Sequence, residues 1–245
     1  MRANQIVMGT GVSIDVPGLT DTQFIQKVFS RLQKIDRKFS TYKSKSEISR
    51  FRRGELREQE LSHEVRKIMR ACLEMEKITG GYFSAWFAGE FDPTGYVKGW
   101  AISEVGALLE KNGYTTYCVG IGGDIKARSD SGKVWGIGLQ NPLDKQSILG
   151  RISAKDIAVA TSGIYERGDH VINPKTGNPA NELLGITVAG PDIIRADVFA
   201  TAAFAMGTAG LSFIEDQPGY EALAVDKAGK ALATSGMTSL LNTKL

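Results

Sequence analysis

The stretch Ala196-Asp197-Val198-Phe199-Ala200-Thr201-Ala202-Ala203-Phe204-Ala205-Met206-Gly207 is apolar on nearly every side of a helical wheel, and it constrains the fold more than any other segment. A helix without a polar face is a buried helix. The alanines at 200, 202, 203 and 205 keep it slim enough for close packing. Within it stand one carboxylate, Asp197, and four residues on one hydroxyl, Thr201. Buried polar groups cost free energy unless something satisfies them. Two readings follow from the spacing. Asp197 caps the helix start while Thr201 bonds the preceding turn's carbonyl. Alternatively the pair, sharing one face at i and i+4, holds a small hard cation with oxygen ligands.

Elsewhere the apolar residues are periodic. Phe24, Ile25, Val28, Leu32 and Ile35 predict one amphipathic helix, and Val65, Ile68, Met69, Cys72, Met75 and Ile78 a second after Ser62. The second ends at Thr79-Gly80-Gly81, and a third, from about Lys98 to Lys111, ends at Asn112-Gly113. Strands are predicted over Thr115 to Ile121, Val134 to Gln140, Ile148 to Ser153, Ile157 to Ala160 and Leu183 to Val188. A terminal hairpin joins Glu221 to Asp226 with Ala231 to Thr234. Strands beside helices, with no repeat or Pro-rich linker, predict an α+β chain of antiparallel sheets and packed helices, read as one domain over residues 1–245.

The 42% hydrophobic content is enough for a substantial core. The formal charge of +3 comes from 30 basic residues interspersed with 27 acidic ones, which argues against a nucleic-acid track. The densest basic run, Arg50-Phe51-Arg52-Arg53, reads as a solvated face or loop. No apolar run is long enough to span a bilayer, and MRANQIVMGTG has no export signal, so no membrane insertion and a cytoplasmic location are expected. Cys72 and Cys118 read as small buried hydrophobes.

Three loops rich in small residues invite a phosphate: Asp92-Pro93-Thr94-Gly95-Tyr96-Val97-Lys98-Gly99 before a helix, Gly120-Ile121-Gly122-Gly123-Asp124, and Thr161-Ser162-Gly163. Glycine lets backbone amides approach an anion, and a helix N-terminus adds partial positive charge beside Lys98. Taken singly each loop reads better as an ordinary turn, and no dinucleotide or P-loop fingerprint is present. His170, before an Asn-Pro turn, is either a proton-transfer group or a structural histidine, and His63 reads as surface.

Taken in order, these stretches resemble the ApbE family of FAD:protein FMN transferases. The resemblance runs through Met8-Gly9-Thr10, Phe39-Ser40-Thr41-Tyr42-Lys43-Ser44-Lys45-Ser46-Glu47-Ile48-Ser49-Arg50-Phe51 and Thr79-Gly80-Gly81-Tyr82-Phe83. It continues through Asp92 to Ala101, Gly120 to Asp124, Ala160-Thr161-Ser162-Gly163, His170 to Gly177 and Ala196 to Ala202. It implies Mg²⁺-dependent transfer of FMN from FAD, through a phosphoester, to a Ser or Thr hydroxyl of a soluble target flavoprotein, with AMP released; Mn²⁺ is an alternative metal. By the same resemblance Asp197, Thr201 and the Ala160 carbonyl hold the metal, and Asp197 and His170 are the catalytic pair. Tyr42 stacks on the isoalloxazine, with Met8, Thr10 and Ser46 lining that end. Asp92, Lys98, Gly122, Gly123, Asp124, Thr161 and Ser162 serve the rest of the dinucleotide. The family often has a histidine before His170 and an aspartate three residues after it, where this chain has Asp169 and Asn173. The lipoprotein cysteine of exported members is absent, which implies a cytosolic target. The same residues would also suit an FAD pyrophosphatase or a noncatalytic flavin-binding module.

Overall fold

The computed structural model describes residues 1–87, 89–164 and 171–241, Lys145 by its backbone only. The first half carries β1 (Arg2–Val7), β2 (Thr10–Asp15), α1 (Thr22–Phe39), α2 (Glu47–Arg52), α3 (His63–Ile78), β3 (Trp86–Phe87), β4 (Glu90–Phe91) and α4 (Thr94–Lys111). There follow β5 (Thr116–Ile121), β6 (Asp124–Ser129), β7 (Trp135–Asn141), β8 (Asp144–Ala154), β9 (Ile157–Gly163) and β10 (Leu183–Gly190). The chain closes with α5 (Ile193–Met206), α6 (Ala209–Glu215), β11 (Glu221–Asp226), β12 (Ala231–Ala233) and α7 (Met237–Leu240).

Eight strands form one antiparallel sheet in the order β1-β2-β5-β6-β9-β10-β11-β12, while β3 pairs with β4 and β7 with β8. The expected α+β class is therefore the one adopted. Neighbours in the sheet are successive in sequence except where the chain leaves it: α1 to α4 lie between β2 and β5, β7 and β8 between β6 and β9, α5 and α6 between β10 and β11.

Period two along the strands sorts the core into two layers. Ala158 and Ala160 of β9 join the core shared with α1, α4 and α5, whereas Ile157 and Val159 face a second core with Trp135, Ile137 and Ile152 of the β7–β8 hairpin. Alanine on the helix side lets α5 lie close to the sheet. Its other sides meet α4 and α6, so Phe199 and Phe204 are almost fully buried. That is how an all-round apolar helix is accommodated.

Local signals explain the helix ends. The Asp21 carboxylate caps α1 by accepting from the amides of Gln23 and Phe24 at 2.8 and 3.0 Å, and Ser62 caps α3. Gly80 and Gly81 take positive φ after α3, with the Gly81 amide donating to the Glu76 carbonyl at 2.7 Å.

Four expectations need correction. The third helix starts at Thr94, so Lys98 and Gly99 lie inside α4 rather than in a loop before it. Thr161, Ser162 and Gly163 continue β9, paired with Thr187, Ile186 and Gly185. The strands β1, β2 and β6 carry too many polar residues to show clear alternation, and their pairing comes from neighbouring strands instead. The basic run is not simply solvated: Arg52 donates to the Phe91 carbonyl at 2.8 Å and pairs with Asp92 at 2.9 Å, while Phe51 packs edge-on to Trp86 and Phe91. His63 is the exposed first residue of α3, as expected.

Candidate active site

Asp197 does not cap its helix. That role falls to Asp192, whose carboxylate accepts from the Arg195 amide at 2.8 Å, one turn before Asp197. Asp197 instead sits in mid-helix, 2% exposed, and its Oδ2 accepts from the Gly99 amide of α4 at 2.8 Å. The helices meet there because Gly99 has no side chain: a Cβ would lie 2.8 Å from the Ile193 carbonyl oxygen and 3.0 Å from the Asp197 Cβ. Thr201 does bond back along the helix, its Oγ1 donating to the Asp197 carbonyl at 3.1 Å. It also lies 3.3 Å from the Ser162 hydroxyl of β9. The bland reading thus holds for the hydroxyl and fails for the carboxylate.

The fold adds a second carboxylate. Asp124, at the start of β6, is fully buried, and its Oδ1 accepts from the Thr161 amide at 3.1 Å. Its Oδ2 makes no directed hydrogen bond but lies 2.8 Å from Lys98 Nζ, which is 3.7 Å from Asp197 Oδ1. Two buried carboxylates thus share one ammonium. Burial raises the Asp124 carboxyl pKa to about 7, with Lys98 pulling it down and Asp197 pushing it up; burial likewise raises Asp197 against Lys98 and the Gly99 amide. The resemblance in sequence implies that Asp124 meets the ribose, phosphate or adenine side of the dinucleotide. Only the sheet, which sets β6 beside β9 and over α4, brings it to Asp197.

The oxygens here are two carboxylates and the hydroxyls of Thr201 and Ser162, with Ala160 buried one residue before Thr161 on β9. That donor set suits a hard divalent cation, and the carboxylates outnumber the ammonium. Among the described residues no group of three or more His, Cys, Asp or Glu forms a metal cage, so such a cation needs hydroxyl, carbonyl, water or phosphate oxygens as well.

The remaining residues fall in several places. Met8 and Gly9 form the two-residue turn between β1 and β2, both with positive φ, at 58° and 72°. The two-residue hairpin turn asks for positive φ at both positions, which a methionine adopts only at some strain. Pairing of β2 with β5 sets this turn beside Gly122-Gly123, where a Cβ on Gly122 would lie 3.0 Å from Thr10 Oγ1. Met8, Thr10, Gly122 and Gly123 therefore lead up to Asp124. The start of α4 comes in from the other side, with Gly95 against the Thr201 methyl.

Tyr42 is 88% exposed in the loop before α2, and among the described residues its ring packs on no other aromatic ring. Ser46 is buried and caps α2, accepting from the Ser49 amide and donating to the Ser40 carbonyl, so its hydroxyl is consumed locally. Asp92 is likewise engaged locally, accepting from the amide and hydroxyl of Thr94, the first residue of α4, at 3.0 and 2.6 Å, while Pro93 is the N-cap. The Thr161 hydroxyl pairs with Thr187 at 2.9 Å, leaving only its amide at Asp124. His170 and Asp169 lie outside the described residues.

Asn173 has a clear structural role. Its Nδ2 donates to the Ala205 carbonyl in the last turn of α5 at 2.9 Å, while its Oδ1 accepts from the Lys175 amide at 2.9 Å. That carbonyl is one of those a helix end leaves unpaired. An ionised aspartate cannot donate to it. Asn173→Asp is expected to destabilise the protein by about 1–3 kcal/mol above the carboxyl pKa, with part of the loss recovered in acid. Urea unfolding at pH 4.5 and 8, each in this variant and the unaltered chain, measures the difference.

A second titration follows from Asp124. In the unfolded chain it loses its proton in the ordinary carboxylate range, in the folded protein near 7, so between these the folded form binds more protons. The stability of metal-free protein should therefore fall as pH rises from about 4 to about 7 and level off above. Asp124→Asn should flatten that part of the curve, read by urea unfolding in chelator; an unchanged slope would assign it to another group.

The antiparallel sheet with its buried helix is the fold of ApbE flavin transferases. It matches the solved flavin transferase ApbE of Vibrio cholerae with a TM-score of 0.82 at 23% identity over 98% of this chain and 99% of that one. It matches the ApbE protein of Thermotoga maritima with a TM-score of 0.86 at 19% identity over 99% of each. The ApbE family model matches residues 8–90 and 87–224, and the chain belongs to the ApbE family. A Vibrio cholerae relative named FAD:protein FMN transferase is 27% identical over 82% of this chain and 79% of its own length. A Salmonella typhimurium relative of the same name is 28% identical over 56% of this chain and 43% of its own length.

Proposed function

We propose that this chain is an Mg²⁺-dependent transferase that moves FMN from FAD onto a Ser or Thr hydroxyl of a target flavoprotein. The observation that carries this reading is the buried Asp124–Lys98–Asp197 cluster, whose two carboxylates face one ammonium in a member of a family with relatives of that activity. Asp197 and Thr201 would hold the metal with side-chain oxygens and Ala160 with its carbonyl. When bound, the cation neutralises pyrophosphate oxygens as charge moves between them. Lys98 opposes the protonation that burial favours at both carboxylates, and its ammonium would face the same anion. The start of α4, with Gly95 close to the Thr201 methyl, would add the helix's partial positive charge for a phosphate, although the Thr94, Tyr96 and Val97 amides are already bonded to Asp92 and the Pro93 carbonyl.

The acceptor oxygen attacks the FMN-side phosphorus, the P–O–P bridge to AMP breaks, and AMP leaves with the bridging oxygen. The acceptor proton passes to His170, with Asp169 beside it in sequence. Met8 at its strained turn and the exposed Tyr42 ring would grip the isoalloxazine. Asp92 and Ser46 contribute by fixing the starts of α4 and α2 rather than by touching FAD. Among the described residues no helix is long and apolar enough to cross a membrane, and both cysteines are free thiols, which fits the cytoplasm as the compartment.

The test is incubation of the purified chain with FAD, Mg²⁺ and candidate flavoproteins, read by intact mass and by nucleotide chromatography. Covalent FMN on an acceptor with equimolar AMP is expected. Free FMN without any adduct would make it a pyrophosphatase instead, and FAD binding without turnover a flavin-binding module.

A further inference from the structure

A groove of about 580 Å³ runs between α1 and the chain from Lys45 to Glu64, away from the carboxylate cluster. Six cations line it: Arg31, Lys34, Arg37, Lys38, Lys45 and Arg50. Three of them are matched, Arg31 and Lys38 by Glu64 at 2.6 and 2.7 Å and Arg50 by Glu55 at 3.4 Å. The groove's other carboxylates are also engaged, Glu47 by the Ser62 amide and Glu60 by Arg57 at 2.9 Å. Lys34, Arg37 and Lys45 are exposed, and no carboxylate among the described residues lies within ion-pair distance of them.

These unmatched cations come from two walls of the groove. Lys34 and Arg37 share one face of α1 at i and i+3, and Lys45 stands on the facing wall. A phosphate takes donors that converge on one point, whereas a polypeptide with several carboxylates takes a track. Leu56 adds an apolar contact. Lys45 is three residues from Tyr42, on the loop joining α1 to α2, so a chain in the groove ends beside the exposed ring.

We infer that this groove docks an acidic segment of the acceptor protein, holding it next to the flavin. The inference rests on the transferase reading, which supplies a protein acceptor. It assigns the groove to neither the FAD phosphates nor the metal, which have Lys98, α4 and the two aspartates. An electrostatic track of this kind acts mainly on encounter and is screened by salt.

The probe is a fluorescein-labelled ten-residue glutamate peptide, titrated by polarisation at low and physiological salt, with FAD affinity measured in parallel by quenching of its fluorescence. The triple variant Lys34→Glu, Arg37→Glu, Lys45→Glu is compared with a charge-matched control, Lys77→Glu, Lys111→Glu, Lys155→Glu, whose exposed positions lie outside the groove. The groove variant is expected to lose about tenfold or more in peptide affinity at low salt, the control less than about threefold, and FAD affinity to stay unchanged in both. Equal losses in the two variants, or no binding by the unaltered protein, would overturn the inference. A fall in FAD affinity confined to the groove variant would give the groove to the dinucleotide. Absence of FAD binding by the unaltered protein would instead sink the transferase reading, and with it the acceptor as occupant.

Discussion

Asp197→Asn is expected to lower Mg²⁺-dependent FMN transfer by about a hundred- to a thousandfold while the protein stays folded. The size comes from the kind of group removed: deleting one preorganised stabiliser of developing charge costs about 3–4 kcal/mol, and each 1.4 kcal/mol is tenfold in rate. Folding survives because asparagine keeps an oxygen for the Gly99 amide, 2.8 Å from the present carboxylate. It also removes a buried charge whose burial opposes ionisation. The melting temperature in chelator should therefore hold or rise, while the stabilisation gained on adding Mg²⁺ should shrink. Single-turnover rates with FAD, and thermal melts with and without Mg²⁺, separate the two effects. Unchanged turnover would remove Asp197 from the reaction.

Gly99→Ala is expected to destabilise the protein by about 1–3 kcal/mol, despite alanine being the better helix former by about 1 kcal/mol. The added methyl meets backbone, with the Ile193 carbonyl oxygen at 2.8 Å and the Ile194 Cα at 3.1 Å, and neither can rotate away. The helices must part, and since Asp197 is bonded to the Gly99 amide, transfer activity should fall with stability. Gly106→Ala on the same helix is the control. There the new methyl meets the Tyr117 hydroxyl at 2.6 Å, the far end of a side chain that can shift at the expense of its 2.6 Å bond to Glu110. Denaturant midpoints of the two variants should differ clearly, the Gly99 variant being the lower. Equal midpoints would mean that α4 and α5 are not locked together at Gly99.

How much was legible in the sequence can be followed through these residues. The periodic helices α1 and α3, with their Asp21 and Ser62 caps, follow from local rules, and so does the Gly80-Gly81 stop. The strands β5, β7 and β10 show because their alternation is apolar. β1 and β6 do not show, since Arg2 to Val7 and Asp124 to Ser129 are polar and gain their pairing from β2, β5 and β9. The helix starts four residues before Lys98, although Asp92-Pro93-Thr94-Gly95 has the composition of a loop; Pro93 is the N-cap, and Asp92 before it ties down Thr94, the first helical residue.

The site divides in the same way. Asp197 and Thr201 stand out as polar residues in an apolar helix, and their shared face follows from i and i+4 spacing alone. Met8, Thr10 and Gly122-Gly123 stand out only as small or turn residues, and β2 pairing with β5 makes them neighbours. Ser46, Asp92 and the Thr161 hydroxyl resemble ligand contacts in sequence but are taken by a helix cap, a local bond to Thr94 and a cross-strand pair. Asn173 looks like a missing acid, yet its amide closes the end of α5, a bond an ionised acid cannot make.

By itself the sequence determined a buried helix carrying a carboxylate and a hydroxyl on one face, and a family-like order of motifs around it. Both depend on residues near one another in the chain. What only the tertiary structure decided is the company those groups keep. Asp124 lies 73 positions before Asp197, and Gly99 and Lys98 are as distant, so no local rule relates them. Antiparallel pairing of β6 with β9, and the close approach of α4 to α5 at a glycine, set two buried carboxylates around one partly exposed ammonium. Burial and charge at that point, rather than the identity of any one residue, are what suit the cluster to the cation proposed above.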